Sequence, residues 1–351
     1  MKWLLIISLI VFLAGCNEKK DKVITDTIVA SGQMPAVAVD QHGTLLLTFT
    51  SGDSILSIRS SDRGNSFTPA VLVDTLKDLV GTSMRGPQIT TTSSGFSLLA
   101  CDRSGNIFSY IKKGTNEWKQ TARVNDIDTV AKEGFLGLVG DGGENLFAVW
   151  LDLRSDNRNK IYGAISNDGG LHWSKNILVY ASPEGAVCEC CKPSVMMDGN
   201  NVFVLFRNNL QGNRDIYLIH SADGGNKFEP AIKMGQGSWK LDGCPMDGGG
   251  LSIGKNKAPQ TVWNRKGTIY AASPGIEEKA IGTGKSCTMA SADEKNIYAW
   301  QENGGIVVLM PSGIKKILGN GGLPVLKSLG SNQVLCVWEN EKKIHRTILT
   351  I

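Results

Sequence analysis

The chain reads as an all-β fold in which a four-stranded antiparallel unit repeats seven times around a centre, or six times if two short tail units count as one. Three observations predict it. A short apolar strand, a Gly or Asn/Asp turn and a second apolar strand ending in a large residue recur along the sequence. No stretch carries a 3.6-residue apolar period. Glycine, at 41 of 351 residues, exceeds the roughly 7% of average usage and supplies the turns. This length suits one large all-β domain and excludes a small disulfide-stapled scaffold. A hydrophobic fraction of 41% fills a sizeable core. A net charge of +4 over the whole chain gives no dense field for nucleic acid, so no nucleic-acid partner is expected.

The first segment sets the compartment. Met1-Lys2 precedes an apolar run from Trp3 to Leu13, then Leu13-Ala14-Gly15-Cys16, then the polar residues Asn17 to Lys22. The run is too short to cross a bilayer and reads as an export signal. Leu-Ala-Gly-Cys resembles the lipobox of bacterial lipoproteins. The resemblance implies a signal peptide over 1–15, a lipidated Cys16 as mature N-terminus and a polar tether over 16–22. It also implies a bacterial cell envelope location, with the membrane as partner through two or more acyl chains. An ordinary secretory peptide cleaved nearby is the alternative. Residues 23–351 form the repeat domain.

The ends of the second strands mark the units: Phe49, Cys101, Trp150, Phe206, Trp263, Trp300 and Trp338. Their gaps are 52, 49, 56, 57, 37 and 38 residues, which suits four short strands per unit with the last two trimmed. Three units carry Ser-x-Asp-x-Gly-x-x-aromatic, around Asp62, Asp168 and Asp223, at spacings of two units and one. Such a turn suits a hairpin: Asp accepts backbone N–H groups across the bend, Gly takes positive φ and the aromatic packs beneath. A decayed copy runs from Ser109 to Trp118. The signature resembles the Asp-box, or BNR, repeat of the sialidase superfamily, whose members are β-propellers. The last unit lacks one strand, and the alternating segment Val23 to Ala30 supplies it from the other end of the chain, removing free edges.

Strand parity sorts the loops. One face collects the loops after second strands and before first strands: Asp152 and Arg154, Arg207 to Asn209 with Arg214, Asn264-Arg265, Cys188-Glu189-Cys190-Cys191, Asp242 to Asp247, and Ser286 to Met289. Five cysteines, Cys188, Cys190, Cys191, Cys244 and Cys287, are therefore expected at the mouth of the central channel, where propellers place ligand sites. Sialidases bind a carboxylate with three arginines there, with a Tyr/Glu nucleophile and an Asp acid/base. The stretch Val204 to Asn209 is similar to the one carrying the second arginine, so Arg207 matches it and Arg265 is a candidate for the third. Glu189 and Asp152 are the candidates for acid/base roles. No Tyr stands at the nucleophile position, where Leu323 or Cys287 is found. The opening Arg motif is replaced by Gln33-Met34-Pro35, with Arg85-Gly86-Pro87 one unit late.

The cysteines then carry the clearest chemistry, with three readings. They form disulfides, for instance Cys191 with Cys244; or Cys188, Cys190, Cys191, Cys244 and Cys287, with Met246 and Met289, hold a soft metal such as Cu(I) or Zn(II); or one is a reactive thiol activated by arginine. Cys101 and Cys336 end apolar strands and read as core residues. The functional expectation is a lipid-anchored, sialidase-like propeller that binds a ligand or soft metal at a cysteine-rich mouth. The alternatives are an exo-sialidase or related glycosidase, and a platform for a glycan or envelope protein with all cysteines in disulfides.

Overall fold

A computed structural model describes residues 26–351 except 255, 293 and 331. The expected leader, Cys16 and the tether lie outside the described residues. Among those residues there are 29 strands and no helix, and none is a helix long and apolar enough to cross a membrane.

The strands form seven antiparallel sheets, the blades of a β-propeller. In six of them the chain runs outward through consecutive strands. The first blade, for example, comprises Gln33–Val39, Leu45–Ser51, Ser54–Ser60 and Val71–Thr75. Second strands are sandwiched on both faces and therefore read as unbroken apolar runs; Leu146–Asp152 is buried at every residue. Fourth strands lie at the rim, where Val71 and Leu72 are exposed.

Each pair of neighbouring blades shares its own apolar cluster. Leu326, Cys336 and Trp338 of the seventh blade pack on Ile297 and Val308 of the sixth. Cys101 of the second blade packs with Trp150 of the third. Trp263 of the fifth packs with Leu205 of the fourth, and Trp300 of the sixth with Val262 of the fifth. Four of the seven large second-strand residues are thus fully buried tryptophans wedged between blades. Cys101 and Cys336 are buried free thiols, as the sequence implies, and burial pushes both well above the usual thiol range.

The ring closes as expected. Gly322–Gly330, Gln333–Asn340 and Lys343–Thr350 make three strands of the seventh blade, and Thr27–Ser31 pairs antiparallel with the last of them as the outermost strand. His345 Nδ1 meets Asp26 Oδ1 at 2.8 Å beside this seam. The seventh blade is therefore real, and the two short tail units are separate blades.

The three Ser-x-Asp-x-Gly turns join third to fourth strands and share one set of hydrogen bonds. The serine hydroxyl accepts the backbone N–H four residues on, at Gly64, Gly170 and Gly225. The aspartate accepts the N–H of Ser66, His172 or Lys227. Those glycines have φ of 85°, 96° and 96°, a region open to glycine and costly for other residues.

Candidate functional site

The first strands surround a central cavity of about 280 Å³ to which all seven blades contribute, among them Met34, Gln88, Leu138, Lys192, Asp247, Cys287 and Val325. Lys192 extends from the fourth blade, and its Nζ donates to Gln88 Oε1 of the second at 2.6 Å. Burial pushes this amine down to about 8. Asp247 is buried and accepts from the backbone N–H of Ser286 at 2.7 Å and of Gly249 at 3.2 Å. Burial raises its carboxyl above the usual range although the Arg207 guanidinium opposes the shift. Cys287 Sγ lies 3.8 Å from its Oδ1, and burial raises this thiol too.

The fourth blade is built differently from the others. Its second strand, Asn201–Leu210, is the longest described, and its end pairs with an extra short strand, Gly185–Val187. That strand ends at Cys188, whose N–H donates to the Arg207 carbonyl at 3.0 Å. A turn then brings Cys191 back, its N–H 3.4 Å from the Cys188 carbonyl. Cys188, Cys190 and Cys191 form a buried cluster of their own, with sulfur atoms within 4.8 Å of one another. Cys188 Sγ is 3.3 Å from Cys191 Sγ and 3.7 Å from Cys190 Sγ.

Cys190 is disulfide-bonded to Cys244 of the loop leading into the fifth blade. The pairing given as an example from the sequence, Cys191 with Cys244, is not the one formed. The turn at Cys188 explains the difference: it folds Cys191 inward, 1% exposed and against Cys188, so its neighbour Cys190 meets the incoming loop. Cys188, Cys191 and Cys287 are free thiols. Met246 is exposed at the loop surface, while Met289 is packed with Cys287 between the fifth and sixth blades.

Arg214 is the charged neighbour of the cluster. Its Nη1 donates to Cys188 Sγ at 3.2 Å and to Glu189 Oε2 at 2.9 Å. The Cys188 thiol is lowered to about 7, chiefly by the hydrogen bond with Cys191 and also by the Cys190 backbone N–H and Arg214, against the opposing effect of burial. Burial and the neighbouring Cys188 push Cys191 upward. Glu189 is lowered by Arg214, again against burial.

Of the five cysteines expected at the channel mouth only Cys287 lines the central cavity; Cys188, Cys190, Cys191 and Cys244 stand apart from it, and the other candidates are held by their own partners and do not line it either. Arg207 is 1% exposed, and its guanidinium donates to the carbonyls of Asp247, Arg214 and Asn264 at 2.9, 2.6 and 2.9 Å. It bolts together the loops that carry the cysteines and Arg214. Arg265 forms a two-pronged pair with Glu278 at 2.6 and 2.5 Å and lies over the Tyr270 ring. Asp152, fully buried, accepts from Trp150 Nε1 and from the Arg154 side chain at 2.8 Å each. Lys192 and Arg214 are the groups that sequence reasoning did not single out for a role. A signal for Lys192 was present, since it directly follows the cysteines at the start of a first strand.

No protein-family model matches the chain, and no curated protein does. Solved structures are similar in fold. A protein of unknown function from Dyadobacter fermentans is 14% identical with a TM-score of 0.53, over 94% of this chain and 99% of that one. An α-L-arabinofuranosidase from Fusarium graminearum in complex with an iminosugar inhibitor is 10% identical with a TM-score of 0.54, over 93% and 98%. A Hadza microbial sialidase is 12% identical with a TM-score of 0.53, over 92% of this chain and 66% of that one. At these identities the likeness shows the fold alone.

Proposed function

We propose that the protein is a lipid-anchored propeller of the bacterial cell envelope, a divergent relative of sialidases, that binds Cu(I) through the cysteine cluster of its fourth blade. One observation carries this reading: the sulfurs of Cys188, Cys190 and Cys191 lie within 4.8 Å of one another. Thiolates bound at about 2.3 Å to one ion in three-fold sulfur coordination stand about 4 Å apart, near the 3.3 and 3.7 Å found from Cys188. The thiolate form is the ligand, and Arg214 favours it at Cys188. The cluster offers three sulfur donors. That number suits Cu(I), which thiolates select, better than a closed structural zinc site, which takes four ligands. Cys190 joins the set only when its bond to Cys244 is reduced.

Copper titration of the reduced full chain against a chromophoric Cu(I) chelator tests the reading. The expected result is about one tightly held ion per chain, lost in the Cys188→Ser/Cys191→Ser variant. Equal copper binding by both proteins would sink it. The glycosidase alternative needs Arg207 and Arg265 on a substrate carboxylate, but their guanidinium groups already face protein acceptors. The expected outcome with an aryl sialoside is therefore no release of the aryl group.

A further inference from the structure

Four sulfur atoms from two neighbouring loops stand in sequence from the interior to the surface. Cys191 Sγ lies 3.3 Å from Cys188 Sγ, which lies 3.7 Å from Cys190 Sγ, and Cys190 is bonded to Cys244. The inner pair is closed from water, with Cys188 at 0% and Cys191 at 1% exposure. The outer sulfur belongs to Cys244, an exposed residue of an exposed loop. Exchange between a thiol and a disulfide needs an attacking sulfur beside the disulfide, stabilisation of its thiolate, and access for the partner. Cys188 meets the first condition by position. Arg214 meets the second, donating to Cys188 Sγ at 3.2 Å while Glu189 and the backbone contact from Arg207 hold it in place. Cys244 meets the third.

We infer that Cys191, Cys188, Cys190 and Cys244 form a thiol–disulfide relay that exchanges an electron pair between the buried dithiol and a disulfide-bearing partner outside. In the first step the Cys188 thiolate attacks Cys190 Sγ. The Cys188–Cys190 bond forms, the Cys190–Cys244 bond breaks, and Cys244 leaves as a thiolate. In the second step the Cys191 thiolate attacks Cys188 Sγ. The Cys188–Cys191 bond forms, the Cys188–Cys190 bond breaks, and Cys190 leaves as a thiolate. The two protons released by Cys188 and Cys191 are taken up by Cys244 and Cys190. One disulfide has moved inward, two electrons have moved outward, and no oxidant is consumed. The exposed Cys244 thiolate then attacks an external disulfide, and Cys190 resolves the mixed disulfide, restoring Cys190–Cys244 and releasing the partner as a dithiol. An external dithiol that reduces the buried disulfide through the same steps in reverse leaves as a disulfide and resets the chain. The relay uses the cysteines of the copper reading without resting on it, since no step involves a metal.

The test uses the full chain, with a copper chelator and EDTA present throughout, equilibrated across glutathione redox buffers. Acid quenching, alkylation and tandem mass spectrometry then map each linkage. Cys101 and Cys336, buried in the blade cores, serve as internal thiol standards. The expected result is a second linkage, Cys188–Cys191, interconverting with Cys190–Cys244. Cys191→Ser is expected to accumulate Cys188–Cys190 with Cys244 as a thiol. Cys188→Ser is expected to abolish the migration, leaving Cys190–Cys244 as the only linkage within the protein at every redox poise, because no attacking thiol then stands beside it. Because the Cys191 variant traps an intermediate, the test survives a failure of the Cys188 variant to fold. The inference is overturned if Cys190–Cys244 is the only linkage at every redox poise, in wild type and Cys191→Ser alike, with Cys188 always alkylated as a thiol. Migration of the linkage in a chain that binds no copper when reduced upholds the relay and removes only the copper reading.

Discussion

A buried guanidinium is tolerated only when its N–H groups meet acceptors, and Arg207 finds three backbone carbonyls, at Asp247 and Arg214 in loops and at Asn264 near the end of the strand Pro259–Arg265. Substitution to alanine strips those carbonyls of a charged donor and leaves a hole beside the cysteine loops. Arg207→Ala is therefore expected to cost about 3–5 kcal/mol of stability. Arg207→Lys is expected to recover little, because a single ammonium cannot reproduce three divergent bonds. Denaturant unfolding of both variants checks this. A variant as stable as wild type would mean that the side chain is free for a ligand. Sequence alone could not separate the two roles, since an arginine at the end of a second strand reads the same whether it holds a ligand or the neighbouring backbone. Arg214 shows the same limit from the other side. It lies 26 residues from Cys188, and only the hairpin between second and third strands of the fourth blade brings them together.

The hairpin turns and second strands were the elements most legible in the sequence, for physical reasons. A strand buried on both faces must be apolar throughout, and a bend with positive φ calls for glycine. The cysteine loops were legible as a group but not as to pairing. Cys190 and Cys191 are adjacent, and which of them turns outward depends on a hydrogen-bonded turn that has no sequence signature. The turns carry a pH prediction of their own. The Asp62 carboxyl is lowered to about 2, first by the Ser66 hydroxyl, then by the Ser66 N–H and Ser60. Asp223 is lowered by the Lys227 N–H first and Ser221 next, and Asp168 by the His172 contacts against burial. A depressed carboxylate stabilises the fold above its unfolded pKa, near 3.9, and loses that contribution as pH falls through the folded value. Asp62→Asn/Asp168→Asn/Asp223→Asn is thus expected to melt below wild type at pH 7 and to converge on it as pH approaches 2. Thermal melts at the two pH values check this; an undiminished gap in acid would contradict the assigned role.

At the scale of the whole molecule, seven joints each held by their own apolar packing mean that the ring is only as stable as its last joint. That joint is non-covalent. Thr27–Ser31 adds the outermost strand to a blade whose other three strands come from the far end of the chain. Val29 and Ala30 pack on the cluster shared by the seventh and first blades, and the Gly32 N–H donates to the Lys342 carbonyl at 2.7 Å. Removing residues through Ser31 would take away this ladder, its apolar contacts and the Asp26 to His345 contact, and would bare the edge of Lys343–Thr350 to pairing with other chains. The expected loss is on the order of 3 kcal/mol from apolar burial and the ladder together. Two readouts separate closure from a passive tail: the guanidinium midpoint should fall relative to a chain that begins at residue 23, and self-association should rise with concentration in light scattering. A truncated chain that keeps both the midpoint and the monomeric scattering would show that the ring holds without its N-terminal strand, and that the inter-blade clusters alone are sufficient.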